Sequence, residues 1–143
     1  MYSKILVGMD GSENAYKALD SAIGLAEKMS SELVVLYVIH VPTSVSEYDT
    51  FEASDVYSSL ERDGDKVLED CESRAKQHNV RVKTIVASGD PAQQIIETAK
   101  TEGADLIVVG SRGLGTVRSL VLGSVSNKIV HYAKEAVLVI RHE

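Results

Sequence analysis

The feature that most constrains the fold of this chain is the regular alternation of short apolar runs with segments of helical periodicity. In the helical segments, apolar residues recur at three- and four-residue intervals, which is typical of a helix with one buried face. The apolar runs predict five strands, at 5–7, 33–39, 80–86, 106–109 and 137–140. This alternation predicts an α/β fold of the Rossmann-like class, an open five-stranded parallel sheet with helices on both faces. No linker divides the 143 residues, so we expect a single domain spanning 1–143.

Local signals refine two of the predicted helices. A loop from 42 to about 50 precedes a long helix, and Gly64 lies on its apolar face, which predicts a close packing contact or a kink there. The next helix has a clear start, with Asp90 as N-cap, Pro91 in the first turn and Gln93 three residues on.

The last and third strands are unusual in opposite ways. The third carries Arg81 and Lys83, which predicts an edge of the sheet. The fifth is as apolar as a central strand, although no helical segment follows to cover it. An uncovered apolar edge favours pairing with another chain, so we expect the fifth strand to pair with another subunit.

Composition excludes several classes of protein. The net charge of −6 argues against a general nucleic-acid binder, which needs a basic face. No apolar run approaches the roughly 20 residues that span a bilayer, and no segment resembles a signal peptide. The single cysteine, Cys71, lies on the apolar stripe of a helix and is expected to be buried and inert. A single cysteine excludes an internal disulfide, which is consistent with a reducing compartment. We therefore expect a cytoplasmic protein without a membrane partner.

A glycine-rich segment joins the fourth strand to the last helix, which is predicted over about 124–134. Residues 110–126 contain four glycines and two arginines, Arg112 and Arg118, but no Asp or Glu. Glycines let backbone N–H groups approach a ligand, and a helix start adds unpaired donors and a positive dipole end. The segment therefore predicts an anion site, most often for phosphate. It contains neither a P-loop nor a G-x-G-x-x-G fingerprint.

A second candidate segment follows strand one. Asp10, Gly11 and Ser12 would share one crevice with Gly110 if strands one and four are neighbours, because ligands of doubly wound sheets bind beyond the carboxyl ends of the strands. Asp10 would then bind ribose hydroxyls or a magnesium ion. The alternative is that these three residues form only a turn and the N-cap of the first helix.

The spacing of the glycine-rich segment carries a family resemblance. Gly110, two residues, Gly113, nine residues, Gly123 and Ser124 match the pattern G-x2-G-x9-G-[ST]. With this pattern, the chain resembles the ATP-binding subgroup of the universal stress protein family along its whole length. The other segments that carry the likeness are 5–12, 36–40, 89–91, 104–113 and 136–140. The resemblance implies an adenine nucleotide alpha hydrolase-like form of this fold with the strand order 3-2-1-4-5, and a homodimer through the C-terminal strand, 136–141. It also implies ATP as ligand, with AMP or ADP as the other candidates and magnesium accompanying the phosphates.

The resemblance also implies roles for individual residues. One set would contact the adenosine part of the nucleotide: Gly8, Asp10, Val38, Val109 and Gly110. A second set would bind the phosphates through backbone N–H groups and the two serine hydroxyls: Gly113, Gly123, Ser124, Val125 and Ser126. Arg112 flanks the second set and is a further candidate for the phosphates. A serine at a helix start is also a good N-cap, so the serines have a structural alternative.

The segment offers little machinery for catalysis. It contains no lysine, and no second carboxylate beside Asp10 forms a metal pair, whereas phosphoryl transfer needs charge neutralisation and usually a positioned base. We expect no catalytic residues and a nucleotide-dependent switch or stress-response regulator, with at most slow ATP hydrolysis. The alternatives are a nucleotide-free dimeric interaction module and a weak metal-dependent phosphohydrolase.

Overall fold

A five-stranded parallel sheet forms the centre of the molecule. The computed structural model describes residues 1–40, 50–112 and 123–142. The strands are β1 (Lys4–Met9), β2 (Glu32–Ile39), β3 (Val82–Ser88), β4 (Leu106–Gly110) and β5 (Ala136–Ile140). Their order is β3-β2-β1-β4-β5, and all neighbours are parallel. The predicted fold class and strand order are confirmed.

Helices cover both faces of this sheet. They are α1 (Glu13–Met29), α2 (Thr50–Gln77), α3 (Pro91–Glu102) and α4 (Ser124–Tyr132). One apolar cluster joins α1 and α2 to the sheet, and a second joins α3 and α4 to the opposite face. Within the described part of the chain, no helix is both long and apolar enough to cross a membrane.

Alternating residues of β1 supply the two halves of the core. Ile5 and Val7 belong to the cluster under α1 and α2, and Leu6 belongs to the one under α3 and α4. All three side chains are fully buried, and burial of each stabilises the fold by about 1.5–3 kcal/mol. The unbroken apolar run is therefore explained by a strand that is covered on both faces.

The third strand begins later than predicted. The backbone N–H of Val80 donates to the carbonyl of Ala75, 3.0 Å away, so Val80 closes the end of α2. Pairing with β2 begins at Val82, opposite Leu33, and extends to Ser88. The predicted span of 80–86 was therefore shifted by two residues, while its edge position is confirmed.

The helix signals are confirmed with one refinement each. Asp90 caps α3, accepting from the N–H of Gln93 at 3.0 Å, and Pro91 follows in the first turn. The side chain of Gln93 donates to Glu97 rather than back to the cap. Of the predicted loop at 42–50, residue 50 begins α2 and the rest lies outside the described residues.

Gly64 makes a close packing contact, as one of its two alternatives predicted. A Cβ placed on it would lie 2.7 Å from the ring of Tyr37, on β2. The helix therefore packs directly on that ring at this point. Burial raises the pKa of the Tyr37 hydroxyl, and the nearby carboxylates of Asp63 and Asp10 raise it further.

The second edge of the sheet is β5. Among the described residues it pairs only with β4, and Leu138 on it is 37% exposed. On the neighbouring α4, Val130 and Tyr132 are also exposed. The second subunit expected at this edge stays a prediction.

Candidate functional site

The strand order creates one crevice at the carboxyl end of the sheet. From β1, the chain adds β2 and β3 on one side and β4 and β5 on the other, so the order reverses between β1 and β4. These two strands are paired through Ile5, Leu6 and Val7, as the crevice hypothesis required. Their carboxyl ends open together at a topological switch point, the usual ligand position in such sheets.

Asp10 follows β1 at the carboxyl edge of the sheet, within the turn that its alternative interpretation predicted. Its Oδ1 accepts from the N–H of Ser12 at 2.9 Å. Ser12 is the N-cap of α1, accepting from the N–H of Ala15 at 3.1 Å, and Gly11 has a positive φ of 83°. The second carboxylate oxygen of Asp10 has no hydrogen-bond donor among the described residues, so the turn and a ligand role are compatible.

The packing around Gly8, near the end of β1, is apolar and close. A Cβ on Gly8 would lie 2.8 Å from Cδ1 of Ile95 and 3.4 Å from Cγ1 of Val109. Gly8 therefore makes room for α3 against the sheet. The side chain of Val109 is 4% exposed within the cluster, whereas that of Val38 is only partly buried. Of these residues, Val38 is thus the one with side-chain surface left for a ligand.

Hydrogen bonds tie together the two flanks of residues 113–122. We call the neck the group Ser111, Arg112 and Gly123. The carbonyl of Ser111 accepts from the N–H of Gly123 at 2.7 Å, and the N–H of Ser111 donates to the carbonyl of Ile140 at 2.8 Å. A Cβ on Gly123 would lie 2.9 Å from that same Ser111 oxygen. The neck therefore requires glycine at 123 for a steric reason.

The two predicted serine ligands differ in what they offer. Ser126 is 2% exposed, and its hydroxyl faces the carbonyls of Ser111 at 3.0 Å and Gly123 at 3.1 Å. That hydroxyl stabilises the neck, which leaves the backbone N–H as the group that Ser126 has for a ligand. Ser124 is exposed and does not cap the helix, because Gly123 occupies the N-cap position without a side-chain bond.

The start of α4 presents open backbone donors. The first intrahelical bond runs from the N–H of Asn127 to the carbonyl of Gly123. The N–H groups of Ser124, Val125 and Ser126 have no acceptor among the described residues, as expected for a first helical turn. No acidic residue lies in that turn. Converging N–H groups at the positive end of a helix dipole are suited to an anion.

Sequence reasoning missed the side chain that joins these parts, Asn14. It lies in the first turn of α1, is 1% exposed, and accepts at Oδ1 from the N–H of Arg112 at 2.8 Å. Its Nδ2 donates to the carbonyl of Ile140 at 3.1 Å. The available signal was its position four residues before the buried Ala18, which puts a polar side chain on the apolar stripe of the helix.

The remaining residues that the sequence analysis singled out lie in the core or outside the described residues. Gly113 and Arg118 fall within 113–122, outside the described residues. Cys71 is fully buried, and burial raises the pKa of its thiol to about 12, which agrees with an inert core residue. Within ranges 1–40, 50–112 and 123–142, no group of three or more His, Cys, Asp or Glu side chains is arranged for a metal.

The fold defines a doubly wound α/β protein in which a helix start with open backbone donors follows β4. The model of the universal stress protein family matches residues 1–141. The universal stress protein YxiE of Bacillus subtilis is 35% identical over 155 residues, covering 99% of this chain and 100% of its own. The chain therefore belongs to the universal stress protein family.

Solved structures agree with this assignment. The hypothetical protein MJ0577 of Methanocaldococcus jannaschii has a TM-score of 0.89 at 28% identity, with 100% of this chain and 98% of that chain covered. A universal stress protein solved in complex with cAMP has a TM-score of 0.72 at 25% identity, covering 99% and 98%.

Proposed function

We propose that this protein binds an adenine nucleotide, ATP in particular, and acts as a nucleotide-dependent switch in a stress response. The observation that carries the proposal is the acid-free start of α4, where three backbone N–H groups lack an acceptor among the described residues. The helix α4 begins directly after Gly123 of the neck. Through the bonds of Ser111, the neck also holds the end of β4 at the crevice. Phosphate is the group that such a cradle accepts best.

The adenosine part would lie over the ends of β1, β2 and β4. Val38 offers partly exposed apolar surface for a base, and Asp10 has one carboxylate oxygen for ribose hydroxyls. The universal stress protein in complex with cAMP supports an adenine nucleotide as the ligand class. Where ATP brings magnesium, phosphate oxygens would hold the hard cation, and the remaining oxygen of Asp10 would bind the cation in place of the ribose.

We propose binding without efficient turnover. The segment 110–126 contributes backbone donors and two arginines, but no lysine and no carboxylate. These donors and arginines can position the phosphates, but none of them can act as a base for the attacking water. Slow hydrolysis is compatible with this proposal.

The switch would act at the dimer edge. We propose that β5 pairs with a second copy of the chain, because its outer edge lacks a partner among the described residues and Leu138, Val130 and Tyr132 are exposed nearby. The neck bonds directly to the carbonyl of Ile140, the last residue of that strand. A nucleotide at the neck would therefore bias the geometry of the edge.

Two measurements test ligand binding. The purified protein is heat-denatured and the supernatant is analysed for nucleotide, and the protein freed of nucleotide is then titrated calorimetrically with ATP, AMP, cAMP and NAD. We expect saturable heat with ATP and weaker or no heat with NAD. Absence of heat with every nucleotide would contradict the proposal and favour a nucleotide-free dimeric interaction module.

Limited proteolysis tests the switch separately. Trypsin cleaves after arginine, and both Arg112 and Arg118 lie in the segment 111–122, which we propose the bound nucleotide shields from the protease. We expect saturating ATP to slow cleavage there, while cleavage after Arg74 serves as the internal control. Equal rates with and without ATP would contradict the switch, although not the binding.

A further inference from the structure

We propose that Asn14 is a positioning residue for the phosphate-binding part of the crevice, holding the neck in register with the end of β5. The inference rests on the proposed nucleotide function and deepens it. Asn14 touches neither Ser124 nor Val125 through any described hydrogen bond, so it acts on a ligand only through the neck.

Both ends of the Asn14 amide are in use. Its Oδ1 accepts from the N–H of Arg112 at 2.8 Å and lies 3.4 Å from Oγ of Ser111. Its Nδ2 donates to the carbonyl of Ile140 at 3.1 Å. With 1% of the residue exposed, water does not replace these bonds. A buried polar side chain with satisfied partners fixes one arrangement of the groups around it.

The bonds of Asn14 converge with those of the neck. The carbonyl of Ile140 accepts from Asn14 and also from the N–H of Ser111, while the carbonyl of Ser111 accepts from Gly123. A single network thus joins the start of α1, the end of β5 and the residue that caps α4. Moving Asn14 would move the position from which α4 presents its open N–H groups.

The neighbouring glycine shows that the fold reserves space for this side chain. A Cβ on Gly110 would lie 2.6 Å from Oδ1 and 2.7 Å from Cγ of Asn14. These distances are shorter than any real contact between such atoms, so only glycine at 110 leaves Asn14 in place. Gly110, predicted from the resemblance to lie near the ribose, thus has a second and independent requirement.

The loss of Asn14 should affect phosphates and leave the nucleoside unaffected. Without its Oδ1, the N–H of Arg112 loses its acceptor and the neck loses one of its two links to β5. The phosphates depend on the placement of donors by the neck. The base and ribose depend on Val38 and Asp10, which Asn14 does not bond, and on Gly110, which the sheet holds through its pairing with Ile140. A selective loss of affinity for the phosphorylated ligand is therefore expected.

The experiment compares ATP with adenosine, which lacks the phosphates. Asn14→Ala removes the amide, and Asn14→Leu removes its polar atoms while keeping a branched side chain that fills the site if the alanine variant does not fold. We expect about a tenfold weaker affinity for ATP, with adenosine changed less than about twofold, in calorimetric titrations. Asn79→Gly is the matched control, since Asn79 is exposed and has a φ of 57° that glycine accepts readily.

The outcomes separate the two levels of the account. Equal losses for ATP and adenosine, or unchanged ATP affinity in the folded variants, would overturn the role of Asn14 alone. Absence of ATP binding by the unsubstituted protein would overturn the proposed function, and this inference with it. Thermal unfolding of each variant identifies the fraction folded at the titration temperature.

Discussion

The two ends of the sheet are built in opposite ways. At the amino end, a side-chain acceptor pairs with the backbone donors. The carboxylate of Asp105 accepts from the N–H of Ser3 at 3.0 Å and from that of Lys4 at 3.1 Å. The Ser3 hydroxyl adds a third bond, and the ammonium of Lys4 donates to the carbonyl of Glu102 at 3.0 Å. Backbone donors there are paired with side chains of the protein itself.

At the carboxyl end, the comparable donors are left open. Gly123 caps α4 without a side chain, and the following N–H groups have no acceptor in the described ranges. The side chains that do bond there, Asn14 and Ser126, fix the neck and do not reach these donors. Backbone donors are thus paired within the protein at one end of the sheet, whereas at the other end they are open for the anion that we propose. Four substitutions or conditions test this contrast, from the largest effect to the smallest.

The largest effect is expected from Gly123→Val. A Cβ at this position would lie 2.9 Å from the carbonyl oxygen of Ser111, so the neck must open and the start of α4 must shift. We expect ATP affinity in calorimetric titration to fall at least about 100-fold, corresponding to about 2.8 kcal/mol. Retention of ATP affinity would show that the ligand does not lie at this end.

The next effect is expected at the opposite end, from Asp105→Asn. The amide keeps one acceptor but turns an NH₂ group toward a backbone donor, so at least one hydrogen bond to a charged group is lost. We expect the free energy of unfolding in urea to fall by about 1–2 kcal/mol. ATP affinity should stay unchanged in the folded protein. A matching loss of ATP affinity would mean that the two ends are not independent.

The pH dependence of stability tests whether the charge of Asp105 is responsible for the effect of Asp105→Asn. Burial works against ionisation of Asp105, but the hydrogen bonds from Ser3 and Lys4 outweigh it and hold the pKa below its usual 3.8. Because the pKa of Asp105 is lower in the folded state than in the unfolded state, its ionised carboxylate stabilises the fold at pH values above the unfolded-state pKa. This stabilisation is lost as the pH falls through the folded-state pKa. The difference in unfolding free energy between the native chain and Asp105→Asn should therefore be constant from about pH 5 to 7 and shrink below about pH 4. If this difference in unfolding free energy does not depend on pH, it comes from packing and not from the charge of Asp105.

Ser124→Ala should have the smallest effect. Ser124 is exposed and does not cap α4, so the fold does not depend on its hydroxyl. Its proposed contribution to phosphate binding comes mainly from the backbone N–H, which alanine retains. We expect ATP affinity to weaken by no more than about threefold, or about 0.7 kcal/mol. A loss as large as that of Gly123→Val would mean that the side chain, and not the helix start, holds the phosphate.

The fold was largely predictable because its signals are local. Unbroken apolar runs identify strands that are buried on both faces, as the neighbouring residues Ile5 and Leu6 show, and Asp90 with Pro91 identifies a helix start. The shift of β3 was not predictable, since Val80 is as apolar as a strand residue and closes α2 through a bond to Ala75.

The geometry of the candidate site was predictable only in part. Glycine spacing located the neck and the start of α4, but it did not give the reason that glycine is needed at Gly110 and Gly123. Those reasons are contacts with Asn14 and Ser111, which depend on how distant elements meet. The bond of Asn14 to Ile140 joins residues 126 positions apart, a relation that no local pattern encodes.

The most direct test of the central claim follows the backbone amides of both ends by NMR while ATP is added to the ¹⁵N-labelled protein. The account predicts large, saturable shifts of the Ser124, Val125 and Ser126 amide signals, with those of Ser3 and Lys4 unchanged. Unmoved signals at the start of α4 under saturating ATP would contradict it.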